Sequence, residues 1–291
     1  MGANGELRRN TAPELEELEL ELLLEALVRR FGFDFRLHER APLKQKVLAF
    51  MQQCGLATLS QVQDQVLHDP ATSSALLRAL HVPPAALFDN PAEALMLREA
   101  AEHSLRGAAL PRVWLADCAG AGQAWTLAII LAEMGLLSHA EIYATVASDE
   151  MLDEAASAWL PEGELEGAQE SYQQAGGKGR LANYFNVQGG RAMLAPSLRS
   201  HITWAQYNLV TDASFNEFNL IACQRALPDF GPLLRQRVLQ LFHDSLVPFG
   251  TLGLDREIAP DEPLAGAYQA LEPGQPWYKR VMWQAPISPA G

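Results

Sequence analysis

Residues 112–135 read RVWLADCAGAGQAWTLAIILAEMG, and this stretch decides the fold. An apolar run, RVWLA, meets a glycine-bearing turn, DCAGAG, and then a second apolar run of helical length. Strand, tight turn and helix in that order form a common nucleotide-binding corner of α/β folds. The glycines stand at Gly120 and Gly122, a G-A-G spacing, so neither the dinucleotide fingerprint nor the P-loop pattern is present.

Beyond this corner, EIYATVA (141–147), ITWAQYNLV (202–210) and FNLIACQ (218–224) are β-branched or aromatic apolar runs. Helical patterns such as PLLRQRVLQLFHDSL lie between some of them. Strands alternating with helices predict an α/β, doubly wound, mostly parallel sheet that binds ligands at the C-terminal ends of its strands. The segment 160–200, with YQQAGGKGRLANYFNVQGG, is rich in Gly and Gln and weakly periodic, which predicts a small inserted subdomain or a long loop.

Upstream the pattern is helical. PELEELELELLLEALVRR (13–30) spaces its leucines at 15, 18, 22, 23 and 27, with Arg29 and Arg30 at the dipole-favoured end and Gly32 as a stop. Helices are also expected over 42–54 and 58–67, and a shorter one, SALLRAL, ends at the prolines of VPP (82–84). The expected domains are therefore an all-helical one over 1–98 and a sheet domain over 99–291.

Composition narrows the function classes. The 291 residues carry a net charge of −13 with no basic run, which argues against nucleic acid as a partner. Three scattered cysteines suggest a reducing compartment, and Cys118 and Cys223 read as small core residues. The N-terminus lacks an apolar signal region, and no run of about 18 apolar residues occurs, so a cytoplasmic protein without membrane insertion is expected. The histidines show no metal-ligand spacing, and no residue pattern marks a catalytic nucleophile.

The order of the pieces is itself informative. FGFDFR (31–36), ALFDNP, VWLADCAGAGQAWTLAIILAE, EIYATVASDE, NYF, ITWAQYNL, FNLIACQRALPDF and VPFGTLGLDREI follow one another as in the CheR-type chemotaxis methyltransferases. The chain resembles that family over roughly residues 15–280. The resemblance implies a Rossmann-like S-adenosylmethionine methyltransferase fold behind an N-terminal helical domain. It also implies S-adenosylmethionine or S-adenosylhomocysteine as ligand, and glutamates of a chemoreceptor as substrate.

Carried over residue by residue, the resemblance implies a cofactor site formed by Asp89, Ala121, Gln123, Val146, Asn208, Leu209 and Gln224. Most of these depart from the family pattern. Where the family turn reads much like C-S-T-G-E-E-P-Y-S, this chain has CAGAGQAWT, so Gln123 replaces a carboxylate. Asp89 stands where T-x-F-F-R carries its arginine, and Val146 where A-T-D carries the ribose-binding aspartate. In C-R-N-V-L-I-Y-F the arginine and tyrosine become Gln224 and Asp229, while Asn208 and Leu209 match.

Loss of a hydrogen bond to a charged group costs roughly 1.5–3 kcal/mol, and loss of one partner of a buried charge pair about 2–5 kcal/mol. Even about 4–6 kcal/mol in total moves a micromolar ligand to millimolar or weaker. Asp149, Glu150, Arg225 and Asp117 are the nearby charged residues available as substitutes. The receptor-facing helix also departs: where the family is often close to R-R-x-x-R-R-M, this chain reads QKVLAFM (45–51), leaving Lys44 and Lys46 and offering Phe50 as an apolar contact.

Simpler structural roles stand beside these readings. Asn208 suits a strand-end turn cap as well as a cofactor contact, Gln123 an ordinary first-turn residue, and Asp89 a turn residue or helix N-cap. Three functions are consistent with the residues. One is a cofactor-impaired CheR-like binding or regulatory module of a chemosensory or signalling pathway, partnered by a chemoreceptor or other signalling protein. A second is an active, divergent methyltransferase of chemoreceptor glutamates, of the kind found in pilus-linked chemosensory systems. The third is a pocket turned to another metabolite, with the bulky Trp125 as part of its altered lining.

Overall fold

A computed structural model describes residues 12–282 except 215. It divides into two compact units, one holding the chain up to His81 with Asp229–Gly231, the other holding Val82–Pro228 and the chain from Pro232 onward.

The first unit contains α1 (Ala12–Phe31), α2 (Arg40–Gln53), α3 (Leu59–His68) and α4 (Pro70–Leu80). Local chemistry sets the helix starts: the Thr58 hydroxyl accepts from the Gln61 amide, and Asp69 accepts from the amides of Ala71 and Thr72, with Pro70 in the first turn. Leu20, Leu23, Leu24 and Leu27 of α1 join Val47, Val62 and Leu76 in one buried core, while Leu15, Leu18 and Leu22 face outward.

His38 packs edge-on against Phe230 and beside Phe35, each at 5.1 Å, and its Nδ1 is buried without a hydrogen-bond partner. Burial pulls its pKa down to about 4, against the attraction of Asp229. The unfolded ring titrates near 6.5. The folded state favours the neutral ring, so this stabilisation is complete above pH about 6.5 and is lost as pH falls towards 4. Urea midpoints measured across that window should fall with acid in the natural chain, and a His38→Asn chain should show a flatter slope. Equal slopes would mean that His38 is not the titrating group.

In the second unit come α5 (Pro91–Leu105), β1 (Arg112–Leu115), α6 (Ala121–Glu133), β2 (Glu141–Val146) and α7 (Asp149–Ala156). The inserted segment follows as β3 (Leu160–Pro161), α8 (Glu162–Gly167), α9 (Gln169–Gln174), β4 (Phe185–Gln188), β5 (Arg191–Leu194) and α10 (Pro196–Arg199). The chain continues through β6 (Ile202–Gln206), β7 (Phe218–Cys223), α11 (Pro232–Ser245), β8 (Leu246–Leu254), β9 (Tyr268–Ala270) and β10 (Trp277–Arg280).

The main sheet has the order β6-β2-β1-β7-β8-β10-β9. Pairing is parallel from β6 through β8, and β10 and β9 are added antiparallel. The central strands β1 and β7 are buried almost throughout, as strands covered on both faces must be.

The expected boundary at 98/99 is corrected to 81/82. Helix α5 belongs with the sheet, because Ala94, Leu97, Ala100, Ala101 and Leu105 enter the same core as Val113 and Leu127. The apolar period of α5 is visible in the sequence; the core it faces is not. The insert is an ordered subdomain whose strands form a separate antiparallel sheet, β3-β5-β4.

Candidate functional site

The chain leaves β1 towards β2 and β6 on one side and returns to β7 on the other, so the sheet switches direction between β1 and β7. Ligand crevices of α/β sheets open at such points. The DCAGAG turn and the residues after β7 both lie there.

Backbone bonds hold the turn in place. Ala116 donates to the Ala222 carbonyl (2.9 Å) and Cys118 to the Thr145 carbonyl (2.7 Å), one on each neighbouring strand. Gly120 caps α6 at φ 79°, a conformation that favours glycine. At Gly122 an added Cβ would lie 2.2 Å from the Ala85 carbonyl oxygen. The loop before α5 lies directly on this turn: Ala85 donates to the Ala119 carbonyl (2.7 Å), and the Phe88 amide to the Thr126 hydroxyl (3.0 Å). Both glycines thus have backbone reasons of their own. Gly122→Ala forces backbone against backbone, so its expected cost is at the upper end of about 1–3 kcal/mol, measurable as a lowered urea midpoint. An unchanged midpoint would show that the loop moves aside freely.

The side chains at the crevice bind one another. Gln123 accepts from the Ala119 amide (2.8 Å) and donates through Nε2 to Gln224 Oε1 (3.3 Å). Arg225 donates through Nη2 to Asp89 Oδ2 at 2.7 Å. Asp89 is therefore an ion-pair partner rather than a helix cap, and the cap of α5 is Asn90, which accepts from the Glu93 amide. Arg225 lies past the end of β7, where strand alternation no longer dictates where its side chain points. The charge reversal at Asp89 and the arginine at Arg225 are both visible in the sequence, but their pairing is not.

Beside them, Val146 is 1% exposed at the end of β2, and Ala121 is half-buried at the start of α6. Asp149 and Glu150 are exposed in the first turn of α7, behind the Ser148 cap. Asn208 makes a turn: its Oδ1 accepts from Val210 N (2.9 Å), and its own amide donates to Asp212 Oδ2 (2.9 Å). That is the capping geometry. Leu209 is buried next to it. Trp125 is buried with its ring edge-on to Phe185 of the insert, 5.7 Å between centroids. Burial pushes the thiols of Cys118 and Cys223 well above the usual range, so neither supplies a thiolate.

The basic residues on α2 are occupied within the helical unit. Lys44 pairs with Glu16 (2.5 Å) and Glu17 (3.5 Å), and Arg40 also binds Glu17. Lys46 binds Asp229 at 2.5 Å and the Leu80 carbonyl at 3.1 Å. Phe50, expected as an apolar contact, is instead a core residue with Leu43 and Val47, because the inward period of α2 runs through it.

Residues 87–257 match the family described as CheR methyltransferase, SAM binding domain. Residues 18–81 match the CheR methyltransferase all-alpha domain, which ends where the compact units divide. The chain belongs to the CheR methyltransferase family. Its fold is the Rossmann-like methyltransferase fold with a mostly parallel sheet and an N-terminal all-helical domain.

Among curated CheR relatives, the candidate methyltransferase Cher3 of Pseudomonas putida is 34% identical over 244 residues, covering 84% of this chain and 89% of its own length. A chemotaxis protein methyltransferase of Listeria innocua is 24% identical over 245 residues, 82% of this chain and 89% of its own. Among solved structures, the glycopeptide N-methyltransferase MtfA with sinefungin is similar over 74% of this chain and 82% of its own, at 15% identity and a TM-score of 0.35.

Proposed function

We propose that this CheR-family protein is impaired in binding S-adenosylmethionine and S-adenosylhomocysteine and acts as a binding or regulatory module of a chemosensory or signalling pathway. Its partner is a chemoreceptor or another signalling protein. The observation that carries this reading is the mutual satisfaction of the crevice groups: Gln123 bonds Gln224, and Arg225 bonds Asp89.

The residues do not suit the cofactor. A ribose needs an acceptor for its hydroxyls at the end of β2, and Val146 offers only a buried isopropyl group there. The ligand's carboxylate needs a guanidinium, and the one at hand already faces the Asp89 carboxylate, which repels a second anion. Freeing these groups for a ligand costs the bonds they now make. The neutralised lysines of α2 support the same reading on the receptor side, since little unpaired positive charge remains on that helix to attract acidic receptor segments.

The decisive experiment is calorimetric titration of the purified chain with S-adenosylmethionine and with S-adenosylhomocysteine. No saturable heat up to millimolar ligand is expected. Micromolar binding of either would overturn the proposal and restore the divergent-enzyme reading, to be followed by methylation assays on receptor fragments.

A further inference from the structure

Phe249 stands in β8 at φ 66°, in the left-handed region where a bulky side chain is strained. The strain arises at a bulge, where β8 runs from Leu246 to Thr251 while its partner β7 runs only from Phe218 to Leu220. Phe88, also at positive φ, is 1% exposed and offsets its strain by burial, whereas Phe249 is 56% exposed. Its ring borders a cavity of about 140 Å³ together with His243, Pro248, Arg280, Val281 and Met282. Met282 is exposed as well, so much of the rim is apolar, and the volume suits one aromatic ring. Two cations flank it. Lys279 Nζ lies over the Phe249 ring, 5.7 Å from its centroid. Arg280 donates through Nη1 to the carbonyls of His243 (2.9 Å) and Leu246. Among the described residues neither cation pairs with a carboxylate, and Asp244, at the end of α11, accepts from Gln240 Nε2 (2.9 Å).

We infer that this patch docks an acidic segment of a partner protein, which places one aromatic side chain in the cavity. The strain at Phe249 is a cost that the exposed ring does not recover within its own fold. A partner's ring packed against it recovers that cost by covering the aromatic face. Lys279 and Arg280 then select carboxylates beside that ring, since neither has one within the chain, and they repel a basic segment. The patch lies at the start of β8, whereas the cofactor crevice opens at the carboxyl ends of the parallel strands. The two sites are therefore at opposite ends of the strands, and the inference stands whether or not the crevice binds its ligand.

The test uses the full chain and three labelled synthetic peptides of about ten residues. One has a central phenylalanine between glutamates, the second has alanine at the centre, and the third has lysines in place of the glutamates. Fluorescence anisotropy at physiological salt should show saturable binding of the first and at least about tenfold weaker binding of the second. The lysine peptide should show no binding that Phe249→Gly alters. For the acidic phenylalanine peptide, Phe249→Gly should weaken binding about tenfold or more. The same variant should keep or raise the thermal midpoint, because glycine relieves the strain. Lys279→Glu, at an exposed position, should also weaken binding about tenfold. The inference is overturned by no binding of the acidic phenylalanine peptide, by equal binding of all three, or by binding that survives both substitutions. A lowered midpoint in Phe249→Gly would overturn it too, by showing that the ring holds the fold. Binding that appears only after Trp283→Ala and Ile287→Ala would overturn it in favour of the chain's own end as the occupant. A dimer by light scattering that Phe249→Gly disperses would do so in favour of a second copy.

Discussion

Replacing Glu133 with alanine is expected to lower the unfolding free energy by about 3–5 kcal/mol, the cost of breaking a buried pair by removing one partner. Glu133 closes α6 with its side chain 14% exposed, and Arg98 of α5 pairs with one carboxylate oxygen. The Tyr172 hydroxyl donates to the other oxygen, as does that of Tyr184 (3.1 Å). Both tyrosines belong to the insert, so a single carboxylate joins α5, α6 and the subdomain. Without it, Arg98 keeps the Ala175 carbonyl (2.7 Å), and the two hydroxyls lose this acceptor. Urea unfolding should register the loss, and limited proteolysis should cut within 160–200 at lower protease concentration. Glu133→Gln, which keeps an acceptor oxygen, should cost less. Adding Arg98→Ala to Glu133→Ala should cost less than the sum of the two. Wild-type stability in Glu133→Ala would show that solvent screens the network.

The second large effect is a gain. Returning the crevice to the family pattern with Asp89→Arg, Val146→Asp and Arg225→Asn should raise affinity for S-adenosylmethionine by about 10²–10³, equivalent to about 3–4 kcal/mol. Asp89→Arg has to be combined with Arg225→Asn, since the two guanidiniums would otherwise occupy the space of one ion pair. Val146→Asp alone is expected to destabilise the unliganded chain, because a carboxylate is placed where the valine is 1% exposed. Saturating S-adenosylmethionine should recover part of that loss in the combined variant, as a ligand that binds only the folded state does. A folded triple variant with unchanged affinity would count against the proposal that these three positions limit cofactor binding.

How far the sequence could be read depends on the range of each interaction. The helix starts at Thr58, Asp69 and Asn90 rest on bonds to residues two or three positions on, yet local reading placed the cap of α5 one residue early, at Asp89, because neighbouring Asp and Asn suit a cap equally well. The apolar residues of α5 stand at helical spacing, but that spacing does not name the core that receives them. Phe50 had the same ambiguity: an apolar residue on a helix can face a partner or the interior, and only the packing of α2 decided for the interior.

By itself the sequence determined the alternation of strands and helices and the glycine turn after β1, because each depends on residue type and short-range periodicity. The tertiary structure alone decided that Arg225 faces Asp89, 136 positions away, that Gln123 bonds Gln224, and that Lys46 is neutralised by Asp229. Such partners are chosen when distant segments are brought within about 3 Å of one another, where hydrogen bonds form, and nothing in the local pattern of either segment names the other.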